Sequence, residues 1–163
     1  MKKAFSPIVF PDSKILILGT MPGEKSLELQ EYYGNRGNQF WRLMFEIFKK
    51  PIVHDYKEKV QLLNEYRIAL WDVLAYCERE GSLDSNIKNE MPNNFEKFHK
   101  EHPGISHIFF SSKNAAAYYD KYVGRRENIS YTILPSPSGA NATKPYSVKL
   151  EEWAEKILPH ISL

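Results

Sequence analysis

Cysteine is almost missing from this chain. Cys77 is the only one among 163 residues, which excludes an internal disulfide and any four-cysteine zinc or iron–sulfur centre. Long apolar runs are missing too, since none approaches the roughly 20 residues a membrane-spanning helix needs. Met1-Lys2-Lys3 and the broken run from Ala4 to Phe10 lack the long apolar region and small-residue cleavage site of a secretion signal. A soluble, cytoplasmic, monomeric protein is expected. No sign of charge dominates: 22 basic side chains face 20 acidic ones, for a formal +2. That is far from the basic stripe of a protein held on nucleic acid by charge alone, although a local positive funnel is compatible with a near-neutral total. The first glycine-rich turn is not followed by Gly-Lys-Ser/Thr, so it is no phosphate cradle of the Walker type. A Gly-x-Ser-x-Gly nucleophile elbow is absent. The histidines at 54, 99, 102, 107 and 160 show no ligand spacing, and no metal or cofactor is expected.

What the chain does contain is apolar material for a core, 42% hydrophobic with 13% aromatic. The length suits one domain over residues 1–163. Four short runs read as strands: Lys14 to Leu18 ending at Gly19, Ile68 to Trp71, His107 to Phe110, and Tyr131 to Leu134 stopped by Pro135. Unbroken apolar runs of this length fit strands buried on both faces. Helical spacing separates them. Phe40, Leu43, Met44, Ile47 and Phe48 share one face, and Pro51 ends the pattern. Further helices are expected over Asp55–Tyr66, around Phe95 and Phe98, over Lys113–Val123 behind a Ser112 cap, and after Pro145 with Tyr146, Leu150, Trp153 and Ile157 on one side. Strand–helix alternation with long crossovers predicts an α/β fold, a three-layer α/β/α sandwich around a four-stranded parallel sheet. Ligands in such folds bind beyond the carboxyl ends of the strands.

That rule draws attention to Gly19–Gly23, Trp71 onward, Ser111–Asn114 and Pro135–Asn141; three stretches, one of them a loop that ends where a helix begins, carry the candidate chemistry. The first is Gly19-Thr20-Met21-Pro22-Gly23, a tight turn with exposed backbone that by itself is a plain turn. The second runs Tyr32-Tyr33-Gly34-Asn35-Arg36-Gly37-Asn38-Gln39-Phe40-Trp41. Asn38 is placed to cap the following helix, and its amide also suits holding a water without ionising. Phe40 offers a flat face for a base. The third is Pro135-Ser136-Pro137-Ser138-Gly139-Ala140-Asn141-Ala142, stiffened by two prolines and thin enough to lie against another molecule. Lys113 and Asn114, opening a helix after the third strand, are within reach of DNA phosphates in the same picture.

In this order, these motifs resemble the uracil-DNA glycosylase superfamily, and most of all its hypoxanthine-DNA glycosylase branch. That branch shows Gly-Ser-Met-Pro-Gly, then Tyr-Tyr-Ala-His-Pro-Arg-Asn and Phe-Trp. Leu70-Trp71-Asp72-Val73-Leu74 through Gly81-Ser82-Leu83-Asp84-Ser85 is similar as well. The resemblance runs from about Ile15 to Ala142. It implies a glycosylase that flips a deaminated base from DNA and hydrolyses its N-glycosidic bond without cutting the strand. Asn38 is implied as the catalytic residue. Gly19, Thr20, Met21, Pro22, Gly23, Phe40 and Asp72 are implied as the base pocket, and Ser136, Pro137, Ser138, Gly139 and Asn141 as the DNA grip. Asp72 serves equally well as a brace for the loop after the second strand.

Departures from the pattern shift the burden of catalysis. Met21 stands where mismatch-specific relatives carry an asparagine, and Leu134 where uracil enzymes carry a histidine. Asn35-Arg36-Gly37-Asn38 replaces His-Pro-Arg-Asn, so Asn35 and Asn38 both remain candidates for orienting the water. Backbone N–H groups of the first motif are then expected to meet the charge on the departing base. A lesion-binding module without catalysis, or a glycosylase specific for G:U and G:T mismatches, are the alternatives on the same fold. The catalytic reading fails if the side chains at 38 and 40 both lie in the interior, pointing away from the mouth formed by residues 135–141.

Overall fold

Buried, unbroken apolar segments form the centre of the molecule. The computed structural model describes residues 1–141 and 143–161; Ala142, the last residue of the third motif, lies outside them. Among the described residues the elements run β1 (Lys2–Lys3), β2 (Ile15–Gly19), α1 (Glu24–Leu29), α2 (Phe40–Ile47), α3 (Tyr56–Glu65), β3 (Ile68–Asp72), β4 (Leu74–Glu78), β5 (Lys88–Pro92), α4 (Phe95–Glu101), β6 (His107–Phe110), α5 (Lys113–Tyr122), β7 (Ser130–Ile133) and α6 (Tyr146–Ile157). The sheet order β3-β2-β6-β7 is parallel throughout, as expected from the alternating pattern.

Strand periodicity divides the core between two faces. Ile15, Ile17, Ile68, Leu70 and Phe109 point to the side covered by α2, α3 and α6, where Phe40, Leu43, Leu63 and Trp153 are buried. Leu16, Leu18, Ala69, Trp71, Ile108 and Phe110 point to the other side, against Phe95 and Phe98 of α4 and Ala115 and Tyr119 of α5. Side-chain caps set three helix starts. Asp55 accepts the Lys57 N–H at 3.2 Å, Asn94 accepts that of Lys97 at 3.0 Å, and Ser112 accepts that of Ala115 at 3.1 Å. No helix among the described residues is long and apolar enough to cross a membrane.

Two features have no counterpart in the apolar pattern. One is α1, a six-residue helix directly after the first glycine-rich turn. The other is a small antiparallel sheet in the order β1-β4-β5. β5 is largely exposed and carries Lys, Asn and Glu, so it has no hydrophobic run to announce it. Backbone pairing with β4, irregular between Leu74 and Tyr76 and again between Tyr76 and Glu78, holds it in place. This sheet lies immediately after Asp72, at the carboxyl end of the main one.

Trp153 joins the core to that end of the molecule. It is fully buried, meets Phe40 edge-on at 5.9 Å, and donates its indole N–H to the Pro135 carbonyl at 2.9 Å. Trp153→Ala would leave a cavity and an unpartnered carbonyl. We expect it to cost about 3–5 kcal/mol, read as a lower urea midpoint at unchanged slope; a loss under about 1 kcal/mol would show that the ring is not a core anchor.

Candidate active site

The carboxyl ends of β2, β3, β6 and β7 open onto one cleft of roughly 1130 Å³. Gly19 to Gly23, Asn38, Asp72, Ser136 to Gly139 and Asn141 all line it. Thus every candidate from the sequence except Phe40 reaches the same space. Tyr33, Asn35, Asp84, Ser111 and the start of α5 line it as well.

Two loops meet on one wall. Asn35 closes the first, accepting the Gly37 N–H on its side chain at 2.8 Å and the Asn38 N–H on its carbonyl at 3.0 Å. Asn38 Oδ1 then accepts the Phe40 N–H at 2.9 Å. The amide is therefore oriented by the helix it precedes, with its Nδ2 and a second lone pair on Oδ1 free of that bond. In the facing loop, Ser136 and Ser138 hydroxyls accept the N–H groups of Ser138 and Ala140, each at 3.2 Å. Those hydroxyls shape the loop and retain their own hydrogens for donation. The loops touch directly: Gln39 donates its N–H to the Pro137 carbonyl at 2.8 Å, and a Cβ on Gly139 would lie 2.4 Å from the Gly37 carbonyl oxygen. Only glycine fits there.

Phe40 needs a correction. Its ring is not on the cleft wall but fully buried, edge-on to Trp41 at 4.9 Å and covered by Tyr33, which stacks on it at 4.0 Å and 13°. The reason lies in the same periodicity that defines α2. Phe40 is the first residue of the helix's apolar stripe, and that stripe packs on the sheet. Tyr33 reaches the cleft instead, together with Tyr32, and the Tyr33 hydroxyl donates to Ser111 Oγ at 3.2 Å. Of the side chains at 38 and 40, the first lines the cleft and the second does not.

Asp72 ends β3, paired in register with Gly19. The fit is close, because a Cβ on Gly19 would stand 2.6 Å from Asp72 Oδ1 and 3.1 Å from the Tyr33 hydroxyl. The carboxyl is buried, and its Oδ2 has no hydrogen-bond partner among the described residues. Burial, reinforced by the nearby Asp84 carboxylate and opposed by Arg79, pushes its pKa up from 3.8 to about 7. Asp84 itself accepts from Asn114 at 3.3 Å and lies 3.6 Å from the Arg79 guanidinium. The Arg79 side chain, wholly buried, donates to the Pro22 carbonyl and to that of Ser82 at 3.4 Å. It thereby straps the first motif to the small sheet. Arg79 and Asp84 carried no motif signal of their own, and Tyr33 lay within the second motif with no role assigned to it. The stretch from Gly81 to Ser85 stood out in the sequence, but nothing in it distinguished the aspartate.

A parallel sheet whose carboxyl ends hold a rigid asparagine, a buried acid and a thin serine loop defines a class. The chain belongs to the Uracil DNA glycosylase superfamily, whose model matches residues 7–161, and is a DNA glycosylase by that membership. It is 35% identical over 155 residues to a protein of Methanosarcina barkeri named Hypoxanthine DNA glycosylase, covering 94% of this chain and 96% of that one. A protein of the same name from Methanosarcina acetivorans is 35% identical over 161 residues, covering 98% and 99%. The fold matches a solution NMR structure of a Methanosarcina acetivorans protein with a TM-score of 0.81, 35% identity and 95% coverage of both chains.

The raised acid has a thermodynamic consequence. Folded Asp72 keeps its proton up to about pH 7, whereas an unfolded aspartate releases it near pH 4. Its ionisation therefore costs stability as pH rises between those values, and the cost is complete above pH 7. Asp72→Asn removes that cost. The melting temperature of the variant relative to the native protein is expected to rise from pH 4 to pH 8; a constant difference across that range would show that Asp72 is ionised throughout.

Proposed function

We propose that this chain is a monofunctional DNA glycosylase that takes a deaminated base, hypoxanthine or uracil, out of the duplex and hydrolyses its N-glycosidic bond, initiating base excision repair. The observation that carries the reading is the convergence of Asn38, the orphaned acid of Asp72 and the 136–141 loop on one cleft. The names of the Methanosarcina relatives support hypoxanthine as the first lesion to test. Extruding a nucleotide costs a few kcal/mol, least for a mispaired base. Stacking on Tyr33 in the cleft would offset about 1–3 kcal/mol of this. Backbone and hydroxyl groups of Ser136 to Asn141 grip the flanking strand. Lys25 and Lys113 at the rim provide a local positive field that the total charge does not disclose.

Hydrolysis forms a bond from water oxygen to the sugar C1′ and breaks the bond from C1′ to the base nitrogen, whose electron pair leaves with the base; the proton that the water gives up ends on the released base. The charge arriving on the base is met by donors. Met21 and Gly23 N–H groups donate to no backbone carbonyl among the described residues, and neutral Asp72 brings an O–H. Acting together they form an oxyanion-type site in place of the histidine missing at Leu134. Asn38 holds the water. An amide is a poor base, so the rate comes from orientation, which the Phe40 N–H bond to Oδ1 supplies.

Duplexes containing hypoxanthine, uracil or mismatched thymine, incubated with the protein and then treated with alkali, test the reading. We expect alkali-dependent cleavage at hypoxanthine or uracil, no cleavage before alkali, and a loss of about a hundredfold or more in Asn38→Ala. No cleavage at any lesion would overturn the glycosylase proposal. Full activity in Asn38→Ala with loss in Asn35→Ala would move the water to Asn35.

A further inference from the structure

Lys149 is 1% exposed and belongs to no sequence motif. It lies near the start of α6, behind Pro145, where the helix dipole disfavours a cation. No carboxylate pairs with it among the described residues. Among the described residues its ammonium has two partners, Gln39 Oε1 at 2.9 Å and the Ser138 carbonyl at 3.3 Å. Burial lowers its pKa, as expected for a cation taken from water without a counter-charge. A buried unpaired charge is a poor stabiliser, and a hydrophobic side chain of similar volume commonly does as well or better. Its presence calls for a role other than stability.

The two partners indicate that role. Gln39 follows Asn38, and Ser138 is at the centre of the loop that faces it. From the α6 side, one side chain draws together the two segments that the Gln39–Pro137 bond also joins. An ammonium suits this position because it carries several donors and no acceptor, and because hydrogen bonds from a charged donor are the stronger kind.

We propose that Lys149 is a positioning residue for base excision: by holding Gln39 and Ser138 together it fixes the Asn38 turn against the DNA-gripping loop, and so keeps the attacking water in register with the bound strand. The proposal rests on the glycosylase reading for its consequence, but its structural part is measurable without activity.

The experiment compares the native protein with Lys149→Met, Gln39→Ala and the double variant. It reads melting temperature, amide exchange at Gln39, single-turnover excision from a hypoxanthine duplex, and affinity for a duplex holding an abasic-site analogue. Lys149→Met should melt at or above the native temperature. Its Gln39 amide should exchange at least about tenfold faster, and excision should slow about ten- to a hundredfold while analogue affinity changes less. Gln39→Ala should slow excision similarly, and the double variant should be no slower than the slower single, as for two ends of one contact. Native excision by Lys149→Met, unchanged Gln39 exchange, or multiplicative losses in the double variant would each overturn the proposal. If Lys149→Met does not fold, Gln39→Ala decides alone, and a native excision rate there overturns it. If the native protein releases no base, the glycosylase reading fails, whereas the exchange data still judge the tether.

Discussion

The Gly37 carbonyl and Gly139 approach so closely that no side chain fits between them, and the geometry of the cleft follows from that contact. It brings the turn before α2 against the loop after β7, two segments about a hundred residues apart in the chain. With the contact in place, Gln39 reaches Pro137 and Lys149 reaches both loops from the α6 side. Asn38 is then fixed at the edge of the cleft instead of on a free turn. For the proposed reaction, in which an uncharged amide orients the water, placement to within a fraction of an ångström is the main resource.

The opposite wall obeys a different constraint. There Gly19, Asp72 and Tyr33 crowd together at the carboxyl ends of β2 and β3, and Arg79 secures the first motif from the small sheet behind. Crowding removes water from Asp72, and the loss of water raises its pKa to about 7. In the proposed reaction Asp72 would serve, in its protonated form, as a hydrogen-bond donor, and Asn38 as an oriented acceptor. This polarity suits a bond that breaks with negative charge on one side and an electron-poor sugar carbon on the other.

Much of this was legible in the chain. β2, β3 and β6 announce themselves because strands buried on both faces must be almost wholly apolar, and β7, partly exposed at the sheet edge, by a short run closed at Pro135. The first and third motifs follow β2 and β7 at their carboxyl ends, where open α/β sheets place ligands, while the second precedes α2 and joins them only in the folded cleft. Phe40 was misread because two valid signals overlap on it. It neighbours the candidate asparagine, but it also begins the helix's apolar stripe, and the stripe decides where the ring goes. Tyr33 was hidden among neighbouring aromatics, only some of which face the cleft. Lys149 and Arg79 are ordinary basic residues in sequence; their significance is burial, which depends on the packing of distant elements. β5 escaped notice because backbone pairing, rather than hydrophobic burial, defines it.

The joined loops are most directly tested by adding one methyl group. Gly139→Ala would force that carbon onto the Gly37 carbonyl and separate the two segments, leaving the sheet and both halves of the core intact. The account predicts at least about a tenfold fall in hypoxanthine or uracil release under single-turnover conditions, with a melting temperature within a few degrees of the native value. A Gly139→Ala protein that releases the base at the native rate would contradict it.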